Sequence, residues 1–236
     1  MEDLVKIVWL TIIIVIVIIM VVFAINISVY NKTIYHSITK NSYFNMRFNL
    51  GNYGEFLIYK YLSKLKGDKR FLFNCYVPKS DGGTSEIDVI MIHSSGIYVF
   101  ESKNYSGWIF GTETQKAWTQ SLKNGRKVQF YNPLMQNSTH IKWLNRFLGD
   151  IPTEYFHSII VFSERCVLKK INLTSKIHIV VRRDNLYREI AKKSEPSIFS
   201  VEKIDDIFHR LISLSKISKE EKARHIASIQ KNEYKS

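Results

Sequence analysis

The run Ser85-Glu86-Ile87-Asp88-Val89-Ile90-Met91-Ile92-His93-Ser94-Ser95-Gly96-Ile97-Tyr98-Val99-Phe100-Glu101-Ser102-Lys103 decides how the rest of the chain is read. Residues 86–93 and 97–103 are rich in β-branched and aromatic side chains, and Ser94-Ser95-Gly96 between them forms a tight turn, so the pair predicts a hairpin. Successive side chains of a strand point to opposite faces, which places Glu101 and Lys103 together and turns Tyr98 and Phe100 toward the core. Asp88, set between Ile87 and Val89, comes to the same sheet edge from the neighbouring strand. Charges gathered at one edge are costly unless they share a task, and binding a divalent cation is such a task. Two carboxylates offer hard oxygen ligands, and a nearby lysine can position a water or stabilise a phosphate under attack.

Upstream, Tyr53, Phe56, Leu57, Tyr61, Leu62 and Leu65 recur at helical spacing and predict an amphipathic helix ending near Gly67-Asp68, with Glu55 in its first turn. Residues 71–77 predict a strand closed by Pro78, and turn formers fill 79–84. Downstream, strands are expected at 108–112, 117–122 and 128–131, the last two joined by the hairpin turn Lys123-Asn124-Gly125-Arg126. Asn132-Pro133 opens a helix whose apolar face, Leu134, Ile141, Leu144 and Leu148, runs to Gly149. Strands at 156–162 and 177–181 and helices at 186–192, 204–214 and 219–231 complete the pattern, with no internal repeat. Helix, strands, helix, strands, helices is the order of an α/β fold with a mixed central sheet flanked by helices.

The N-terminus is of another kind. No charged residue stands between Lys6 and Lys32, and from Ile7 to Ile25 only Thr11 is plainly polar, which predicts one transmembrane helix. Glu2 and Asp3 lead it, and Asn26-Ile27-Ser28 is a poor cleavage site, so a retained anchor is preferred to a signal peptide. Lys6 alone precedes the helix whereas Lys32, Lys40 and Arg47 follow it, which expects a single-pass membrane protein with its soluble part cytoplasmic. That part carries 33 basic and 19 acidic residues, a formal charge of +14. The excess favours a polyanionic partner, either nucleic acid or an anionic lipid surface. Cys75 and Cys166 are too few and too far apart for a disulfide framework or a metal spacing, and read as reduced thiols.

Gly54-Glu55, Glu86-Ile87-Asp88, Glu101-Ser102-Lys103-Asn104 with Gly107, Trp118, and Asn132-Pro133-Leu134-Met135-Gln136 together form a broader pattern. In these residues the chain resembles the NERD (nuclease-related) domain, a branch of the restriction-endonuclease-like PD-(D/E)xK superfamily whose signature is Asp, a spacer, then Glu-x-Lys. The resemblance covers roughly residues 51 to 150. It implies a restriction-endonuclease-like fold and a phosphodiester hydrolase dependent on Mg²⁺ or Mn²⁺, with DNA favoured over RNA as partner. It further implies Asp88 and Glu101 as metal ligands, Lys103 as the catalytic lysine, Glu55 as an additional acidic ligand, and Gln136 as a contact to water or phosphate. The expected organisation is an anchor over 1–30, a juxtamembrane linker over 31–50 that a helical turn or two could extend, a nuclease-like domain over 51–195 and a C-terminal helical appendage over 196–236.

Plainer readings exist for several of these residues. Glu-x-Lys alone usually marks a solvated strand face; what raises it is Asp88 thirteen residues before Glu101 across a hairpin. Glu55 also suits the preference of a first helical turn for acids, and Gln136 equally fits an exposed helix position. His93, His140 and His157 lack metal-ligand spacing, and Trp118 reads as packing. The functional alternative is a catalytically inactive module of the same fold that binds nucleic acid or a partner at the membrane. The sequence leaves the oligomeric state open.

Overall fold

The computed structural model describes residues 1–215, and the helix expected over 219–231 lies outside them. Helix α1, Glu2–Asn31, exposes its apolar side chains along its length and is long and apolar enough to cross a membrane. The segment expected as linker instead forms α2, Ile34–Thr39, and α3, Tyr43–Phe48. Each is started by a side-chain cap, Thr33 and Ser42, and each sends a residue into the core, Tyr35 and Met46. Six-residue helices are too short to show a clear apolar period, and so the sequence did not announce them. Helix α4, Leu50–Leu62, follows, capped by Asn49.

Two mixed sheets carry the rest. The larger runs β1–β2–β3–β7–β9, formed by β1 Lys69–Pro78, β2 Thr84–His93, β3 Gly96–Lys103, β7 Phe156–Phe162 and β9 His178–Arg182. The expected hairpin is its centre, with Val89 opposite Phe100 and His93 opposite Gly96. The smaller sheet runs β6–β5–β4–β8, from β4 Gly107–Thr112, β5 Ala117–Ser121, β6 Lys127–Tyr131 and β8 Cys166–Asn172. Strand β8 was not expected, because Lys169 and Lys170 interrupt its apolar run; it is an edge strand with one wet face. Thus β4, β5 and β6, the strands directly after Lys103, do not extend the larger sheet but form a second one with β8, while β7 and β9 return to the first.

Helix α5, Pro133–Leu148, packs on one face of the larger sheet with α7, Val201–Leu211, while α4 and α6, Leu186–Ala191, cover the other. Residues beyond 196, expected to be appended, therefore contribute Phe199, Ile204, Ile207 and Leu211 to the core. Both cysteines are free and buried.

Candidate active site

Period-two alternation holds along β1 and β2 until Asn74 and Asp88, and fails there. Leu72 and Cys75 belong to the core on the α5 side with Phe73 on the other; likewise Ile87 and Ile90 share a side that Val89 does not. Residues three apart face the same way only if the strand is kinked between them. Asn74 takes the left-handed backbone conformation (φ 51°), which asparagine tolerates better than most residues. Asn74 and Asp88 are skipped between the pairs Phe73–Val89 and Cys75–Ile87.

At the same level β2 parts from β3. Their ladder ends at Val89–Phe100, while β3 stays paired to β7 as far as Lys103–Phe162. The Asp88 carboxylate enters the fork and accepts a hydrogen bond from the Ser102 backbone N–H at 2.8 Å, in place of a ladder partner. Asp88 keeps part of its surface open to solvent although protein surrounds its carboxyl group. Burial first, then the negative charges of Glu101 and Glu55, hold that carboxyl well above the usual carboxylate range.

Glu101, only 2% exposed, turns to the α5 side. The Lys103 ammonium lies 2.8 Å from its Oε1 and also donates to Gln136 Oε1 at 3.1 Å. Burial pushes the Glu101 carboxyl up, but the charge of Lys103 and the neighbouring His140 outweigh it and bring the group below its ordinary value. For Lys103 burial opposes the charge, yet Glu101 and then Asp88 raise it above the ordinary lysine range, so it stays cationic.

Glu55 arrives from the other side of the sheet on α4. Its Oε2 accepts from the Tyr35 hydroxyl at 3.1 Å and from Asn74 Nδ2 at 2.9 Å. Gly54 just before it lets the helix close on β3, since a Cβ there would meet Ser102 Oγ at 2.6 Å. The five residues singled out in the sequence, Glu55, Asp88, Glu101, Lys103 and Gln136, are thus linked by contacts or by charge at one fork. Among the described residues no group of three or more His, Cys, Asp or Glu side chains forms a ready-made metal cage. The donors are carboxylates, and Glu101 Oε2 is buried without a hydrogen-bond partner among the described residues. That set suits an ion such as Mg²⁺, which keeps several waters and is commonly held by one or two carboxylates together with substrate phosphates.

The nuclease-related domain model matches residues 50–163, which include every one of these five side chains. An uncharacterized protein of Bacillus anthracis is 32% identical over 178 residues, covering 75% of this chain and 82% of that protein. The chain belongs to the NERD family. No solved structure matches it.

Within the NERD segment the fold explains positions that are not charged. At Gly107 (φ 77°) a Cβ would lie 2.3 Å from the Ser121 carbonyl oxygen, so the crossing from β3 into the second sheet requires glycine. Trp118 is fully buried, stacks on Phe162 at 6.1 Å and donates to the Thr112 carbonyl, a packing role as expected. Asn132 caps α5 with its carbonyl while its amide nitrogen donates to Thr112, Glu113 and Gln115 oxygens, and Pro133 follows at the first helical position.

Three further polar residues meet at the site without the sequence having assigned them to it: Asn74, Tyr35 and His140, the last set aside for lack of metal-ligand spacing. His140 lies one helical turn after Gln136; its Nε2 is 3.2 Å from Glu101 Oε2, outside hydrogen-bonding geometry, and its Nδ1 contacts Ser85 Oγ at 2.7 Å. The i, i+4 spacing from Gln136 was the available signal. Asn74 and Tyr35 gave none, because a strand kink decides the place of the first and the packing of α2 on α4 that of the second.

Proposed function

We propose that this NERD protein is a membrane-anchored, divalent-metal-dependent nuclease that hydrolyses phosphodiester bonds, with DNA favoured over RNA. The observation that carries the proposal is the buried fork in which Asp88, Glu101 and Lys103 lie together with more carboxylate than one ammonium neutralises. A structural ion pair has no need of the extra acids; a cation site does. Asp88 and Glu101 would hold Mg²⁺ or Mn²⁺, with Glu55 adding charge from the α4 side. Bound there, the ion would lower the pKa of a water and offset charge on the phosphate.

The chain's own groups do the remainder. Lys103, kept cationic and fixed between Glu101 and Gln136, stabilises the negative charge that builds on the phosphorus oxygens as water adds and the ester oxygen departs. Gln136 and Glu101 restrict that ammonium to one position, which is worth more than its charge alone. Outside the fork, Trp108 is half exposed on the second sheet with Lys169 Nζ 5.3 Å above its ring, and Lys123 lines a cavity beside it. An exposed indole flanked by lysines is what a stacked base and its phosphate require, which favours nucleic acid over lipid as the anion met by this surface.

The anchor reading is supported by the apolar exposure of α1 and by Trp9, exposed near its start, where aromatic residues collect at membrane surfaces. The excess of Lys32, Lys40 and Arg47 beyond the helix favours a cytoplasmic domain. Purified full-length protein incubated with Mg²⁺ or Mn²⁺ should degrade DNA and, less readily, RNA. Lys103→Ala and Glu101→Gln should abolish turnover. Degradation untouched by both substitutions would move the chemistry elsewhere, and calorimetric Mg²⁺ binding without degradation would leave a binding module of the same fold.

A further inference from the structure

Helix α3 and the residue after its cap present an apolar face that, among the described residues, is left open. Phe44, Phe48 and Leu50 are 52%, 77% and 59% exposed, and the two phenylalanine rings stack on each other 6.4 Å apart. Met46, on the opposite side of the same helix, is buried at 2%. The helix therefore carries apolar residues on two sides, one in the core and the other open.

What covers the open side follows from its neighbour. Phe23 of α1 lies 5.6 Å from the Phe44 ring and 5.7 Å from the Tyr43 ring. The apolar run of α1 extends to Ile25, so Phe23 stands about 3 Å inside its end at about 1.5 Å per residue. The Phe44 ring, in contact with Phe23, therefore lies beside the end of that apolar run. The polar side chains sit above it: Arg47 stacks over Tyr53 at 4.7 Å and shares with Lys60 and Asn26 a cavity of about 300 Å³ between α1, α3 and α4. Apolar rings below and two cations above is the arrangement of an element lying in the boundary between acyl chains and anionic headgroups.

We propose that α3 is a second membrane contact, with Phe44, Phe48 and Leu50 inserted in the lipid beside Phe23 and Arg47 and Lys60 at headgroup level. The domain is then not a body swinging on a tether. It is held against the bilayer at two points, α1 and α3, and α4, which carries Glu55, follows α3 through the single cap residue Asn49. This inference rests on α1 crossing the membrane.

The test uses the full chain in vesicles of mixed zwitterionic and anionic phospholipid. A polarity-sensitive fluorophore is attached in turn at Phe48→Cys, Ile16→Cys and Gly125→Cys; Cys75 and Cys166 are buried and do not compete. Labels at positions 48 and 16 should be quenched by nitroxide-bearing lipids and blue-shifted, each severalfold more than at position 125, where aqueous iodide should quench instead. A label at 48 that responds to iodide while the one at 16 responds to lipid would overturn the proposal and leave the anchor intact. Shielding of position 48 from both quenchers would mean that a second protein surface covers it, and also overturns it. Iodide quenching at both 48 and 16 would refute the span itself, and the second contact with it.

Discussion

On the α1–α4 side of the larger sheet the packed side chains are rich in aromatics, with Tyr35, Phe71, Phe73, Tyr98 and Phe100 among the buried ones and Phe56 and Tyr59 beside them. On the α5–α7 side they are almost all aliphatic, including Ile87, Ile90, Ile92, Val99, Leu144, Ile204 and Ile207. The difference is more than one of volume. A tyrosine fills a core and still carries a hydroxyl, so the aromatic layer can hold polar groups: Tyr35 donates to Glu55 and Tyr98 to the Lys193 carbonyl oxygen. An aliphatic layer can only fill. The site residues on that side are therefore held by the polar first turns of α5, through Gln136 on Lys103 and through Asn137 Nδ2 on the Val99 carbonyl and Ser158 Oγ. Asp88 lies between the two layers, where the strands kink, and is answerable to both.

The sharpest test of that placement is Asp88→Asn, which keeps shape and removes charge. Hydrolysis should fall by about 10³-fold, on the scale expected for a group acting where charge develops. Stability should move the other way. Burial, then Glu101 and Glu55, raise the Asp88 carboxyl, so the native state retains a proton that the unfolded chain has released. The stability lost through this group grows as pH rises from the ordinary carboxylate value to the raised one, and is complete above it. Without metal at neutral pH the variant should melt higher than the parent; an unchanged or lower melting temperature would mean that Asp88 is not crowded by like charge.

Next in size is a pair of truncations, one in each layer. Phe73→Ala should cost about 3–5 kcal/mol and Ile207→Ala about 2–5 kcal/mol in denaturant unfolding. Phe73 lies 4.8 Å from the Tyr35 ring, and its loss should also lower the activity of the folded fraction. Ile207, buried far along α7, should leave that activity alone. Equal effects on activity would erase the distinction between a layer that orients the site and one that only supports it.

The smallest effect belongs to Tyr35→Phe, which removes one hydroxyl. Burial and then the charge of Glu55 keep that hydroxyl protonated far above the ordinary tyrosine range, so it remains a donor at any working pH. Its removal should cost about 1 kcal/mol, the usual worth of such a hydrogen bond, and reduce activity a few-fold by loosening Glu55. Activity equal to the parent's would show that Glu55 is fixed by Asn74 alone.

Much of this was legible beforehand. The β2–β3 hairpin, the Asn132-Pro133 helix start and the apolar run of α1 are local patterns, and local patterns are readable because neighbours in sequence decide them. The nearness of Asp88, Glu101 and Lys103 was legible for the same reason: one hairpin brings them to a single end. Strand β8 was missed because an edge strand with lysines looks like a loop, and α2 and α3 were missed because six residues are too few to display a period.

The amino-acid sequence by itself determined the class of the fold, the apolar helix and the residue types gathered at the hairpin's end, since each depends on propensities and periods within a short window. Only the tertiary structure decided how those residues meet. Strict alternation would leave Asp88 on one face of the sheet, and it is the left-handed Asn74 and the parting of β2 from β3 that put its carboxylate in the fork. Tyr35, Glu55, Gln136 and His140 reach the same place from α2, α4 and α5, separated by long stretches of chain, because packing two chemically different layers on one sheet leaves that kink as the meeting point of their polar edges.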